Sequence, residues 1–86
     1  MRLQYTHRFE RAYGELSDKD AERVRKALLE LAENPRHPSL RVKKIQGTDN
    51  IWEARAGLSI RMTLEIFGDS IILRNVGPHN HALKKP

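Results

Sequence analysis

The sequence predicts an α+β domain in which a short N-terminal strand and a helical hairpin precede a four-stranded antiparallel meander. Three observations carry this. Between Phe9 and Ala32 the apolar residues recur at spacings of three and four, the period of one helical face. After Pro38 the period falls to two, most clearly where Ile60, Met62, Leu64 and Ile66 alternate with Ser59, Arg61, Thr63 and Glu65. Helix-period and strand-period residues occupy separate parts of the chain, which fits helices laid on one face of an antiparallel sheet.

The elements follow in order. Arg2 to Thr6 alternates briefly around Leu3 and Tyr5 and predicts the first strand. Phe9, Ala12, Tyr13 and Leu16 share one face of a helix from about 7 to 16, weakened by Gly14. Ser17 is placed as an N-cap with Asp18 and Asp20 in the turn behind it, where acids suit the helix dipole. The second helix presents Val24, Ala27, Leu28, Leu31 and Ala32 and stops at Asn34-Pro35, because a residue preceding proline avoids helical geometry. Arg41 to Ile45, Ile51 to Ala56, Ile60 to Ile66 and Ile71 to Val76 are the four predicted strands, separated by turns at Gly47, Gly57 and Gly68-Asp69. The last is apolar on successive residues and so belongs in the sheet interior. Trp52 is expected as an anchor facing the helices.

The 86 residues are enough for one domain, spanning 1–86, since a single unit usually takes ~100–150. The absence of cysteine excludes disulfides and thiolate chemistry and fits a reducing compartment. No apolar stretch is long enough for a signal peptide or a membrane span, so a cytoplasmic protein is expected. Charge is distributed unevenly. Residues 1–34 hold seven basic and seven acidic side chains, whereas residues 35–86 hold nine and four, so the entire net +5 lies in the second part. Such one-sided excess is the footprint of a polyanion binder, and equally that of a plain basic surface.

Alternation puts Arg55 and Arg61 on the sheet face opposite Met62 and Leu64, with Lys43 joining them from the strand before. Clustered cations need carboxylates, which Glu53 and Glu65 can supply, or an anionic ligand. Val76-Gly77-Pro78 makes a stiff exit that sets His79 at the sheet rim. Histidine exchanges protons near neutral pH, and strand cleavage by an RNA's own 2′-hydroxyl needs a base, an acid and cations around the phosphate. His79, Arg55 and Arg61 form such a set without a metal or cofactor; a local hydrogen-bonding role for His79 fits the sequence as well. His79-Asn80-His81 is too sparse for a metal site, which takes about three protein ligands.

The helix end at Asn34-Pro35, followed by "LRVKKIQGTDNIWEARAGLSIRMTLEI" and "ILRNVGPHNHAL", resembles the RelE/ParE toxin superfamily, and within it the RelE and YafQ-like messenger RNA interferases. The resemblance implies a RelE-like fold and a toxin that cleaves messenger RNA on the ribosome and is neutralised by a cognate antitoxin. It implies that Arg55 stands at a catalytic cation or histidine, Arg61 at a phosphate-binding arginine, and His79 at the acid. Lys43 and Lys44 lie near another family cation. Arg41, Arg74, His81, Lys84 and Lys85 complete the expected RNA-contacting set. The chain departs from the family at Ile60 and near Leu83, where aromatics are usual, and at Glu53, where RelE-like members carry a cation. A ParE-like inhibitor of DNA gyrase and an RNA-binding domain without activity are the alternative readings.

Overall fold

A computed structural model describes all 86 residues. The elements run β1 (Arg2–Tyr5), α1 (His7–Gly14), α2 (Asp18–Glu33), a 3₁₀ turn (Pro38–Leu40), β2 (Lys43–Lys44), β3 (Ile51–Arg55), β4 (Ile60–Phe67), β5 (Ser70–Pro78) and α3 (His79–Lys84). Both long helices start as the sequence predicts. The Thr6 and Ser17 side chains accept from the Phe9 and Asp20 amides, satisfying a backbone donor that each first turn would otherwise leave free. Asn34 ends α2 in extended geometry, as the following proline requires.

The five strands form one sheet in the order β1-β5-β4-β3-β2. The meander is antiparallel throughout, while β1 runs parallel to β5. That parallel edge pairing is a feature the sequence reading left open; α1 and α2 carry the chain from β1 across to β2 at the far edge, and the meander then returns to place β5 beside β1. Register sorts the residues onto two faces. Ala54 opposes Met62, Met62 opposes Val76, and Leu64 opposes Leu73; these close over Phe9, Val24, Ala27 and Leu31 from the helices to form the core. Trp52 packs against this cluster and donates Nε1–H to Asn50 Oδ1 at 3.0 Å, the anchor role expected of it.

A bulge in β5 makes this register possible. Thr63 pairs with Asn75 and Leu64 with Leu73, leaving Arg74 without an opposite residue on β4. Leu73 and Val76, three apart, can then face the helices together. Arg74 points to the other face, where it pairs with Glu65 and donates Nε–H to the Pro86 carbonyl at 3.1 Å.

Three parts differ from expectation. The expected strand at 41–45 is reduced to Lys43–Lys44, because Arg41 has left-handed backbone (φ 46) and closes the 3₁₀ turn instead. The first helix ends at Gly14 rather than at 16. The segment after Pro78 is helical, and this α3 covers β4 and β5 on the face away from α1 and α2. Ala82 is fully buried there, and Thr63 Oγ1 donates to the Pro86 carbonyl at 3.0 Å. The second sheet face, expected to be open, is therefore roofed over its β4–β5 half. No helix is long and apolar enough to cross a membrane.

Thr6 ties three elements at once. Its amide donates to Leu73 O, its hydroxyl is placed to donate to Leu73 O at 2.9 Å, and the same oxygen caps α1. A Thr6→Val protein keeps the shape and loses the oxygen, so it should unfold ~1–2 kcal/mol more easily in urea while Thr6→Ser stays near the parent. Equal midpoints for Val and parent would show that water replaces this hydroxyl.

Candidate active site and its basic surroundings

The sheet register brings two arginines together. Arg55 at the end of β3 lies directly opposite Arg61 near the start of β4, and Arg61 lies opposite Gly77 on β5. Residues so paired have Cβ atoms roughly 5 Å apart, a distance at which two like charges repel. Their joining loop turns at Gly57, whose φ of +97 is accessible to glycine and strained for other residues.

This loop also sets the two expected catalytic side chains. Arg61 is 6% exposed, and its Nη1 donates to Leu58 O at 3.2 Å and to Ile60 O at 3.1 Å. The backbone amide of His79 donates to Ser59 O at 2.9 Å. Three consecutive carbonyls of one loop thus hold the Arg61 guanidinium and the first residue of α3. The His79 ring is exposed, with only a long contact from Nδ1 to Asn80 Oδ1. Because α3 is a helix, residues two apart point about 200° apart around it, so His79 and His81 diverge. No three His, Asp or Glu side chains converge to form a metal site.

Within this site Arg61 is the group with a shifted pKa. Burial lowers its pKa below the ordinary arginine value; repulsion from Arg55 lowers it further, and Glu53 acts in the opposite direction. Glu53 itself is almost buried and lies 3.6 Å from Lys43 Nζ. Arg55 has no carboxylate within salt-bridge distance.

The remaining expected residues separate into distinct places. Lys43 shares the Arg55–Arg61 face through its register with Glu53, whereas Lys44 is opposite Trp52 and so faces the other way. The Arg74 charge is taken by Glu65, a structural clamp on the bulge. His81, Lys84 and Lys85 line a cleft of about 800 Å³ with Arg8 and Glu15 of the α1 region. Arg41 lines a smaller cavity, about 370 Å³, together with Arg55 and with Arg23 and Lys26 of α2. Arg23 and Lys26 did not stand out in the sequence, where they read as the solvated face of a charge-balanced helix. Their spacing of three was the available signal, and only the fold shows that this face looks at Arg55.

A small α+β domain with a mostly antiparallel sheet, a helix pair on one face and a cationic end on the other defines the class of protein. Solved structures similar to it include bacterial and archaeal toxins. It superposes on a chain of the RelB–RelE antitoxin–toxin complex from Methanococcus jannaschii with a TM-score of 0.76 at 21% identity, over 96% of this chain and 98% of that one. YafQ from E. coli gives 0.78 at 11% identity over 94% and 97%, and the YoeB/ParE toxin from Agrobacterium tumefaciens gives 0.75 at 14% over 92% and 99%. No protein-family model matches the chain, and no curated protein matches its sequence. The chain has the fold of the RelE/ParE toxin superfamily.

Arg61 is desolvated beside a second cation, an arrangement that works against folding. An Arg61→Met protein should therefore be as stable as the parent or up to ~1 kcal/mol more stable by urea unfolding. A clear loss of stability would mean that its bonds to Leu58 O and Ile60 O outweigh the cost of burying the charge.

Proposed function

We propose that this protein is the toxin of a toxin–antitoxin pair and that it cleaves messenger RNA on the ribosome. The observation that carries the reading is the joining of Arg55, Arg61 and His79 at one loop: two cations in register, one of them buried without a carboxylate bonded to it, beside an exposed imidazole. Likeness in fold to RelE and YafQ supports it, and the RelB–RelE complexes among the similar structures support an antitoxin partner.

In the proposed reaction the 2′-oxygen of one nucleotide attacks the adjacent phosphorus. Its proton goes to a base, the P–O5′ bond breaks, and an acid protonates the leaving 5′-oxygen, giving a 2′,3′-cyclic phosphate and a 5′-hydroxyl. Arg61 and Arg55 hold the non-bridging oxygens and stabilise the charge that builds in the five-coordinate transition state. Fixed donors in a site shielded from water act more strongly than mobile ones, which gives Arg61's burial a use. His79 transfers one of the two protons. Lys43 lies on the same face, one register row away, as a further phosphate contact.

Primer extension on a translating message tests the scheme. The parent should cut within codons only when ribosomes are present, and should do so in EDTA at levels that spare them. His79→Ala should slow cleavage by ~10²–10⁴-fold and Arg61→Met by ~10²–10³-fold. Cutting by His79→Ala at the parent rate would remove His79 from the chemistry. Growth arrest with intact messages and induced DNA damage would favour the gyrase-type alternative.

A further inference from the structure

The cavity between α2 and the β3–β4 loop is basic, and its charge is unspent. Lys26, Arg41 and Arg55 line it, and none of the three has a carboxylate within 4 Å. Arg23 lines it too, with Asp20 at 3.2 Å as its partner. The one acid in the wall, Glu30, bonds none of these cations: it accepts from Ser39 Oγ, also in the wall, at 3.4 Å and lies 3.6 Å from His37 Nε2.

Two backbone features belong to this cavity. Arg41 is the only residue other than glycine with positive φ. Such backbone costs a non-glycine residue roughly 1 kcal/mol or more, and strain of this kind collects at functional sites. On the opposite wall a Cβ at Gly57 would stand 3.3 Å from Arg23 Cδ, so the bare glycine leaves the Arg23 stem its place. Arg55 is common to this cavity and to the arginine pair, which makes the two continuous around the end of the sheet.

We propose that this cavity binds a backbone phosphate of the RNA strand flanking the cleaved bond, with Lys26 and Arg41 as the binding residues and Arg55 as the link to the reaction centre. The inference rests on the RNA-cleaving reading and deepens it. A strand held at both places follows the end of the sheet from His79 and Arg61, past Arg55, to α2. Only phosphates are contacted along that path, so the cavity contributes affinity and register and no base preference.

The test uses the intact protein and a short fluorescein-labelled 2′-O-methyl RNA, which cannot be cut, with anisotropy recorded over a range of NaCl concentrations. Each lost phosphate contact on a single strand should reduce the slope of log K against log salt by about 0.7. Lys26→Gln/Arg41→Gln should lose one to two such steps and bind roughly tenfold or more weakly at low salt, while Arg11→Gln on α1 stays near the parent. Arg41→Gly separates binding from folding: it relieves the left-handed strain, so its melting temperature should rise while its RNA affinity falls as in Arg41→Gln. Unchanged slope and affinity in the double variant overturn the proposal. An unchanged RNA slope combined with weaker binding of a polyglutamate peptide assigns the cavity to an acidic protein segment and also overturns it. A parent that binds no RNA at any salt overturns the cavity proposal and leaves ribosome-dependent cleavage to the primer-extension test, whereas a binding parent whose His79→Ala variant still cleaves leaves the cavity standing and removes only His79.

Discussion

β4 is covered on both faces, and the rest of the molecule is arranged around that constraint. Its residues from Ile60 to Leu64 are all buried, yet they alternate between apolar side chains and Arg61 and Thr63. A strand with period-two chemistry can sit in only one register, because a slip of one residue would turn Arg61 into the helix-facing core and Met62 out of it. Burying an unpaired arginine among Val24, Leu31 and Leu73 would cost several kcal/mol. The alternation therefore fixes the pairing of β3 and β5 on either side, and with it the positions of Arg55 and Gly77 on the two sides of Arg61. The bulge at Arg74 preserves the same sorting farther along, since without it Leu73 and Val76 could not both reach the core.

α3 completes the second face in an economical way. It follows β5 directly, is held at its start by the His79 amide on Ser59 O, and is held near its end by the Pro86 carbonyl, which accepts from Thr63 and Arg74. Ala82 is the only fully buried side chain it contributes. A lid with one small anchor and a few hydrogen bonds is weakly held compared with α1 and α2, which bury larger side chains. It packs on β4 and β5 on the face that carries Arg61, whose burial lowers that residue's pKa. The same few residues thus set both the solvent exclusion at Arg61 and the location of the imidazole next to it.

Much of this was legible in the sequence, and the reasons are specific. The cap at Ser17, the stop at Asn34-Pro35 and the alternation through β4 are local signals, and each corresponds to a feature seen in the structure, whereas Thr6 read as the end of the first strand and proves to cap α1. The α+β class and the like-facing Arg55 and Arg61 follow from period alone. The parallel pairing of β1 with β5 does not, because it joins residues about 68 positions apart and leaves no mark on either segment. α3 was missed because six residues give less than two turns of periodicity, and His79-Asn80-His81 is a poor helix former that packing must stabilise. The reduction of β2 was hidden for a related reason: Arg41 has no intrinsic reason to adopt positive φ, and does so in closing the turn after Leu40. The division of the cations into paired and unpaired members was likewise invisible, since Arg74 and Lys43 read the same as Arg55 until their neighbours are known.

The unpaired cations share one end of the sheet with three locally unfavourable features. Arg41 is strained, Arg61 is desolvated, and Arg55 repels it from across the strand pair. A domain of 86 residues has a stability of only ~5–10 kcal/mol, so three such terms in one region are a substantial fraction of it. They have a common sign with respect to an anion. A phosphate placed between Arg55 and Arg61 offsets their repulsion, and one beside Arg41 gives its strained position a favourable contact. Any ligand that binds the folded state alone raises its stability by RT ln(1 + [L]/Kd), so the region that weakens the free protein is also where a polyanion would strengthen it most. The same argument holds for an acidic protein segment placed on this end. It would gain affinity by relieving these terms and would occupy the positions open to phosphates. Any two polyanions bound there would draw on one electrostatic imbalance, and charge complementarity alone would make them exclusive.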